Sequence, residues 1–119
     1  MADDQPINRY YEAMRRGEEA AEELFTLFTD DAVYAEPFTG RQPAIGIEAI
    51  RDRFALMWAD PLPDVELDVL GVHIDGDSAI AEWECRSPGL PGPIRGQDRY
   101  ELAGGRITRL DIVIDDQRP

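Results

Sequence analysis

Apolar residues recur along the first half of the chain at helical spacing. Ile7, Tyr10, Tyr11 and Met14 fall at i, i+3, i+4 and i+7, which predicts an amphipathic helix that Asp4 can cap, with Pro6 in its first turn and Gly17 at its end. Ala21, Leu24, Phe25 and Phe28 repeat the spacing and predict a second helix, with Glu18, Glu19, Glu22 and Glu23 on its early polar side, where acidic groups suit the macrodipole. A short β-like segment, Ala32 to Ala35, leads to Glu36-Pro37-Phe38-Thr39-Gly40, where Pro37 biases Glu36 toward an extended backbone. A third helix carries Ile47, Ile50, Phe54, Met57 and Trp58 on one face and stops before Asp60-Pro61-Leu62-Pro63.

Beyond residue 64 the period changes to two. Four antiparallel strands are predicted, at about Val65–Ile74, Ser78–Arg86, Ile94–Leu102 and Arg106–Ile114. Asp75-Gly76-Asp77 and Gly104-Gly105 are the turns, and the Pro-rich connection from Ser87 to Pro93 is either a gate or a rigid turn. Helices first and a meander afterwards predict an α+β domain, three N-terminal helices packed on one face of a curved, mostly antiparallel sheet. No linker or repeat divides residues 1–119. Val65, Leu67 and Val69 alternate with Leu70, Val72 and Ile74, and Ile107 and Val113 with Leu110, Ile112 and Ile114. Strict alternation would make both strands apolar on both faces, which predicts a homodimer through the sheet.

One position breaks the pattern. In Ile94-Arg95-Gly96-Gln97-Asp98-Arg99-Tyr100-Glu101-Leu102, the even-numbered residues face a core, and Asp98 is among them. A carboxylate on a buried face must find partners or hold its proton, because an isolated charge in low dielectric is strongly disfavoured. Trp83 and Cys85 share parity with Ala79 and Ala81 and read as core; His73, between Val72 and Ile74, reads as a surface or subunit-contact residue.

Composition narrows the chemistry. The net charge is -13, which argues against nucleic acid and anionic membrane surfaces as partners. No apolar run is long enough to span a bilayer, and Met1-Ala2-Asp3-Asp4 lacks the plan of a signal peptide. Cys85 is the only cysteine, in keeping with a reducing, cytoplasmic setting. The chain has no lysine, one histidine and two serines, so Schiff-base chemistry, a Ser-His-Asp triad and a His-rich metal site are set aside, and no cofactor or metal is expected. Acid–base work falls to carboxylates and tyrosines.

The segments Arg9-Tyr10-Tyr11-Glu12, Asp30-Asp31-Ala32-Val33-Tyr34-Ala35-Glu36-Pro37-Phe38, Gly46-Ile47-Glu48-Ala49-Ile50, Asp98-Arg99-Tyr100-Glu101-Leu102 and Gly105-Arg106-Ile107 resemble, in order, the ketosteroid isomerase and SnoaL-like branch of the nuclear transport factor 2-like superfamily. The resemblance implies a cystatin-like cone around an apolar cavity that takes a small hydrophobic carbonyl compound, with proton-transfer chemistry of isomerase or cyclase type. A ligand-binding or interaction module without catalysis is the alternative on the same fold. By resemblance, Glu36 takes the place of the general-base carboxylate, Tyr10 that of the oxyanion-hole tyrosine, and Asp98 that of a neutral aspartic acid that donates beside it. Phe38, Phe54, Trp58 and Tyr100 are the expected pocket lining. Glu36 is a departure, since the isomerases usually carry Asp there, and the Asp-Arg-Asp arrangement of the superfamily's epoxide hydrolases has no clean match.

Overall fold

The computed structural model describes residues 5–115. The predicted cap Asp4 and the acidic start lie outside them. Helix α1 (Gln5–Arg16) runs through a 3-10 turn, Gly17–Ala20, into the short α2 (Ala21–Thr26). Gly17 has φ +74, a left-handed conformation that costs glycine nothing, so the chain bends there and continues helical. Phe28, expected on the second helix, is instead the first residue of β1 (Phe28–Ala35), four residues earlier than the predicted segment. Leu27 ends the helix with its N–H on the Leu24 carbonyl, and Phe28 then takes up pairing with Ile107.

A two-residue strand, β2 (Ala44–Ile45), precedes α3 (Ile47–Ala59). The meander follows as β3 (Glu66–Asp75), β4 (Ser78–Arg86), β5 (Ile94–Ala103) and β6 (Arg106–Ile114). All six strands form one sheet in the order β2-β1-β6-β5-β4-β3. The sheet is mixed: β1 runs parallel to β6, and every other pair is antiparallel. The architecture is thus α+β, with helices over one sheet face and a core made chiefly of Ile7, Tyr10, Leu24, Phe28, Tyr34, Ile50, Phe54, Tyr100 and Leu110.

Two β-bulges correct the expectation of strands apolar on both faces. In β3, Val69 pairs with Trp83 and Gly71 with Glu82, so Leu70 is an extra residue. Parity resets there, and Leu67, Val69, Val72 and Ile74 all pack on the core, leaving Leu70 outside and 54% exposed. In β6, Ile107 pairs with Leu102 and Arg109 with Glu101, making Thr108 the extra residue. Ile107, Leu110 and Ile112 therefore share the inner face, and Val113 is on the other. The outer face carries a ladder of ion pairs, Arg95–Glu84, Glu84–Arg86 and Arg86–Asp68, with Arg109–Asp111 beside it. The bulges thus break the strict alternation behind the dimer expectation, while Leu70, Ile80 and Val113 still present apolar surface on this outer face.

Candidate functional site

The inner face of the sheet is organised in cross-strand rows. Ile74, Ala79, Tyr100, Leu110 and Tyr34 lie side by side across β3, β4, β5, β6 and β1. The next row is Val72, Ala81, Asp98 and Ile112, followed by Val69, Trp83, Gly96 and Ile114, and last by Leu67, Cys85 and Ile94. Directly opposed residues share a face, so these rows form the floor under the helices. Burial falls along them: Tyr100, Leu110 and Tyr34 are sealed, whereas Leu67, Cys85 and Ile94 are only half-buried.

Asp98 sits in the second row and is 3% exposed. Its Oδ2 accepts the hydroxyl of Tyr11, and that of Tyr100 at 3.3 Å. Its Oδ1 accepts the indole N–H of Trp83 at 2.9 Å. Burial pushes the Asp98 pKa up to about 6, against the three donors, which favour the charged form and keep it from rising further. The carboxyl thus accepts three hydrogen bonds here, where the resemblance implied a group that donates one.

The neighbouring phenols stay protonated. Burial raises the pKa values of Tyr10, Tyr11, Tyr34 and Tyr100, with the Asp98 charge adding to the effect on each. Tyr10, expected beside Asp98, is hydrogen-bonded to the hydroxyl of Tyr34 instead. Its ring packs edge-on against Tyr11, Phe28 and Tyr100, with centroids 5.3, 6.3 and 6.0 Å apart. The phenol that meets Asp98 from α1 is Tyr11.

Glu36 follows β1 on its inward parity and is buried, but it does not meet Asp98 in a common hydrogen-bond network. Oε1 accepts the N–H groups of Phe38 at 2.8 Å and Thr39 at 2.9 Å; Oε2 accepts the Thr39 hydroxyl at 2.7 Å and the guanidinium of Arg53. Burial alone would raise its pKa, and these four donors together hold it below the usual carboxylate value. With every acceptor site engaged, this carboxylate anchors the loop after β1, and Arg53 also binds the Gln42 carbonyl across it.

The expected pocket lining is dispersed. Phe38 is 53% exposed, Phe54 is fully buried and stacked on Tyr34 at 4.9 Å, and Trp58 is half-buried beside Phe25 and Phe54. Only Tyr100 touches Asp98. Tyr10, Glu36 and Asp98 are all buried, Tyr10 packed edge-on against Tyr11 and Tyr100 beside Asp98, and Glu36 among Thr39 and Arg53. Two surface clefts lie elsewhere, one of about 270 Å³ between Asp64, Arg86 and Pro93 and one of about 300 Å³ between Arg9, Glu12 and Leu27.

Tyr11, Trp83 and Arg53 were missed as partners. Gly96 on an inward parity is a sequence sign of close approach by a neighbour, and Arg53, three residues after Ile50, occupies an inward position of the third helix. Among the described residues no group of three or more His, Cys, Asp or Glu side chains is placed to hold a metal ion, and no helix is long and apolar enough to cross a membrane.

Residues 7–110 match the model of the SnoaL-like domain. No curated protein matches the chain. Among solved structures, a provisionally named polyketide cyclase from Sinorhizobium meliloti is 25% identical, with a TM-score of 0.73 over 93% of this chain and 94% of that one. A provisionally named ketosteroid isomerase from Kribbella flavida is 18% identical, with a TM-score of 0.74 over 96% of this chain and 78% of that one. TerC, co-crystallised with polyporic acid, has a TM-score of 0.77 at 16% identity over 93% of this chain and 89% of that one, and like the Kribbella protein bears on fold alone. By the extent of the match to its model, the chain belongs to the SnoaL-like domain family.

Proposed function

We propose that the inner sheet face binds a small, flat, apolar compound bearing a carbonyl group, and that Asp98 moves a proton on the carbon next to that carbonyl. The observation that carries this reading is the buried Asp98 carboxyl, which accepts three donors on a sheet face that is otherwise apolar. A general base works best with a pKa near the operating pH, and burial brings Asp98 to about 6. The half-buried rows next to it, with Leu67, Val69, Cys85, Ile94 and Ile114, supply apolar surface for a ligand.

In this reading Asp98 takes the α-proton, and the C–H electron pair becomes the enolate. The enolate either regains the proton at another carbon, an isomerisation, or attacks a second carbonyl of the same molecule, a cyclisation. The name of the Sinorhizobium relative, a provisionally named polyketide cyclase, accords with the cyclisation branch. Tyr11 holds the Asp98 carboxyl from α1 by donating its hydroxyl to Oδ2. Glu36 takes the role of a loop anchor, and Tyr10 that of a buried brace on Tyr34.

The tight packing over Asp98 favours a second reading, a binding module that turns nothing over. Proton exchange separates the two without knowledge of the natural substrate. 1-Tetralone in deuterated buffer is expected to exchange its α-protons faster with the protein than without it, as followed by NMR. Asp98→Asn and Asp98→Ala are expected to lose about 100-fold or more of that acceleration. Binding without exchange would favour the module, and exchange that survives both substitutions would overturn the role of Asp98.

A further inference from the structure

Trp83 and Gly96 face each other across β4 and β5, two residues before Asp98 on its own strand. A Cβ built on Gly96 would lie 2.5 Å from Cζ2 and 2.9 Å from Cη2 of Trp83, and 2.5 Å from the Val113 carbonyl oxygen. No side chain fits there, because the indole already lies across the glycine. From that seat its N–H reaches Oδ1 of Asp98 at 2.9 Å.

The two carboxylate oxygens are unequally engaged. Oδ2 receives both phenols, Tyr11 and Tyr100. Among the described residues, Oδ1 receives Trp83 alone, and a carboxylate oxygen has two acceptor sites. Trp83 also comes from the row between Asp98 and the half-buried end of the sheet, the side with apolar surface to offer a ligand.

We infer that Trp83 is a positioning residue, held flat by Gly96, that fixes the Asp98 carboxylate so that Oδ1 is the oxygen that takes the substrate proton. This rests on the proton-transfer reading above. The step balances: the α-C–H bond breaks, the proton bonds to Oδ1, and the electron pair stays on the substrate as its enolate. The titratable groups around Asp98 are phenols, Tyr10 and Tyr11 from α1, Tyr34 from β1 and Tyr100 from β5. Arg15 acts on Tyr11, and Arg53 and Glu36 act on Tyr34.

Trp83→Phe keeps a ring over Gly96 and removes the donor. The test follows the Asp98 carboxyl carbon by NMR through a pH titration of the ligand-free protein. The midpoint in Trp83→Phe is expected to rise by at least about half a pH unit, because the lost donor favoured the ionised form. In the 1-tetralone exchange assay the acid limb of the rate profile is expected to move up with it, with kcat falling more than KM changes. An unchanged midpoint, or an unchanged profile in an active variant, overturns the inference. A protein that exchanges no tetralone overturns the proton-transfer reading, and Oδ1 as proton acceptor with it, while the carboxyl titration still decides whether Trp83 governs Asp98. Should Trp83→Phe fail to fold, the indole N–H resonance of Trp83 in the unaltered protein serves instead. It is expected to shift with the Asp98 midpoint, and a resonance indifferent to that titration overturns the contact.

Discussion

Arg53 of α3 closes an ion pair with Glu36 at the end of β1, and both side chains are almost wholly withdrawn from water. Removing one partner of such a pair leaves a buried charge uncompensated, at a cost of about 3 to 5 kcal/mol. Arg53→Ala is expected to destabilise the fold by that amount in urea denaturation. Glu36→Gln is expected to cost less, since the amide keeps an acceptor for one or more of its donors.

The two buried carboxyls have opposite consequences for stability against pH. Glu36 has a lowered pKa, so its contribution is present above the unfolded value and is lost as acid protonates it. Asp98 has a raised pKa, so its contribution is greatest below its unfolded value, near 4, and is lost as the pH rises through about 6. Relative to Asp98→Asn, the unaltered protein is expected to lose on the order of 2 to 3 kcal/mol between pH 4 and 7. Chemical denaturation of both at several pH values checks this, and a difference that grows in the other direction would contradict it.

The two adjacent tyrosines of α1 are expected to behave differently. Tyr11→Phe removes a donor from Asp98 and is expected to raise its titration midpoint. Tyr10→Phe removes the bond to Tyr34 and is expected to cost about 1 kcal/mol of stability with little effect on that midpoint. Carboxyl NMR and urea denaturation of the two variants separate these effects.

The bulge at Leu70 makes a local prediction. Leu70→Asp is expected to change stability by no more than about 0.5 kcal/mol, as for an ordinary surface position, whereas Val72→Asp sets a charge at a half-buried position packed on the core and is expected to cost about 1 to 3 kcal/mol. Equal effects at the two positions would mean that parity does not reset there.

Much of this arrangement was legible in the chain because it repeats. The strand from Ile94 is inward at Gly96, Asp98 and Tyr100 as its alternation required, and α3 buries Ile50 and Phe54 as its stripe required. The bulges were not legible. A single inserted residue leaves the composition of a strand unchanged while inverting every side chain beyond it. The choice between Tyr10 and Tyr11 was also hidden, since successive residues on a buried helical stripe differ by about 100° and either can face inward. Which of them meets Asp98 depends on how α1 is seated, with Arg15 on the Leu67 carbonyl near its far end. The role of Glu36 turned on Arg53, a contact 17 residues away that no local pattern encodes.

The parallel pairing of β1 with β6 ties Phe28 to Ile107 and Tyr34 to Leu110. A ribosome therefore releases all three α-helices, β1 and most of the meander before the central partner of β1 exists. Until then the β1–β2 hairpin has no neighbour on its inner edge, and Tyr34 has no Leu110 beside it. Closing so long a loop is entropically costly and slow. Assembly of the domain is thus tied to the completion of its final strand.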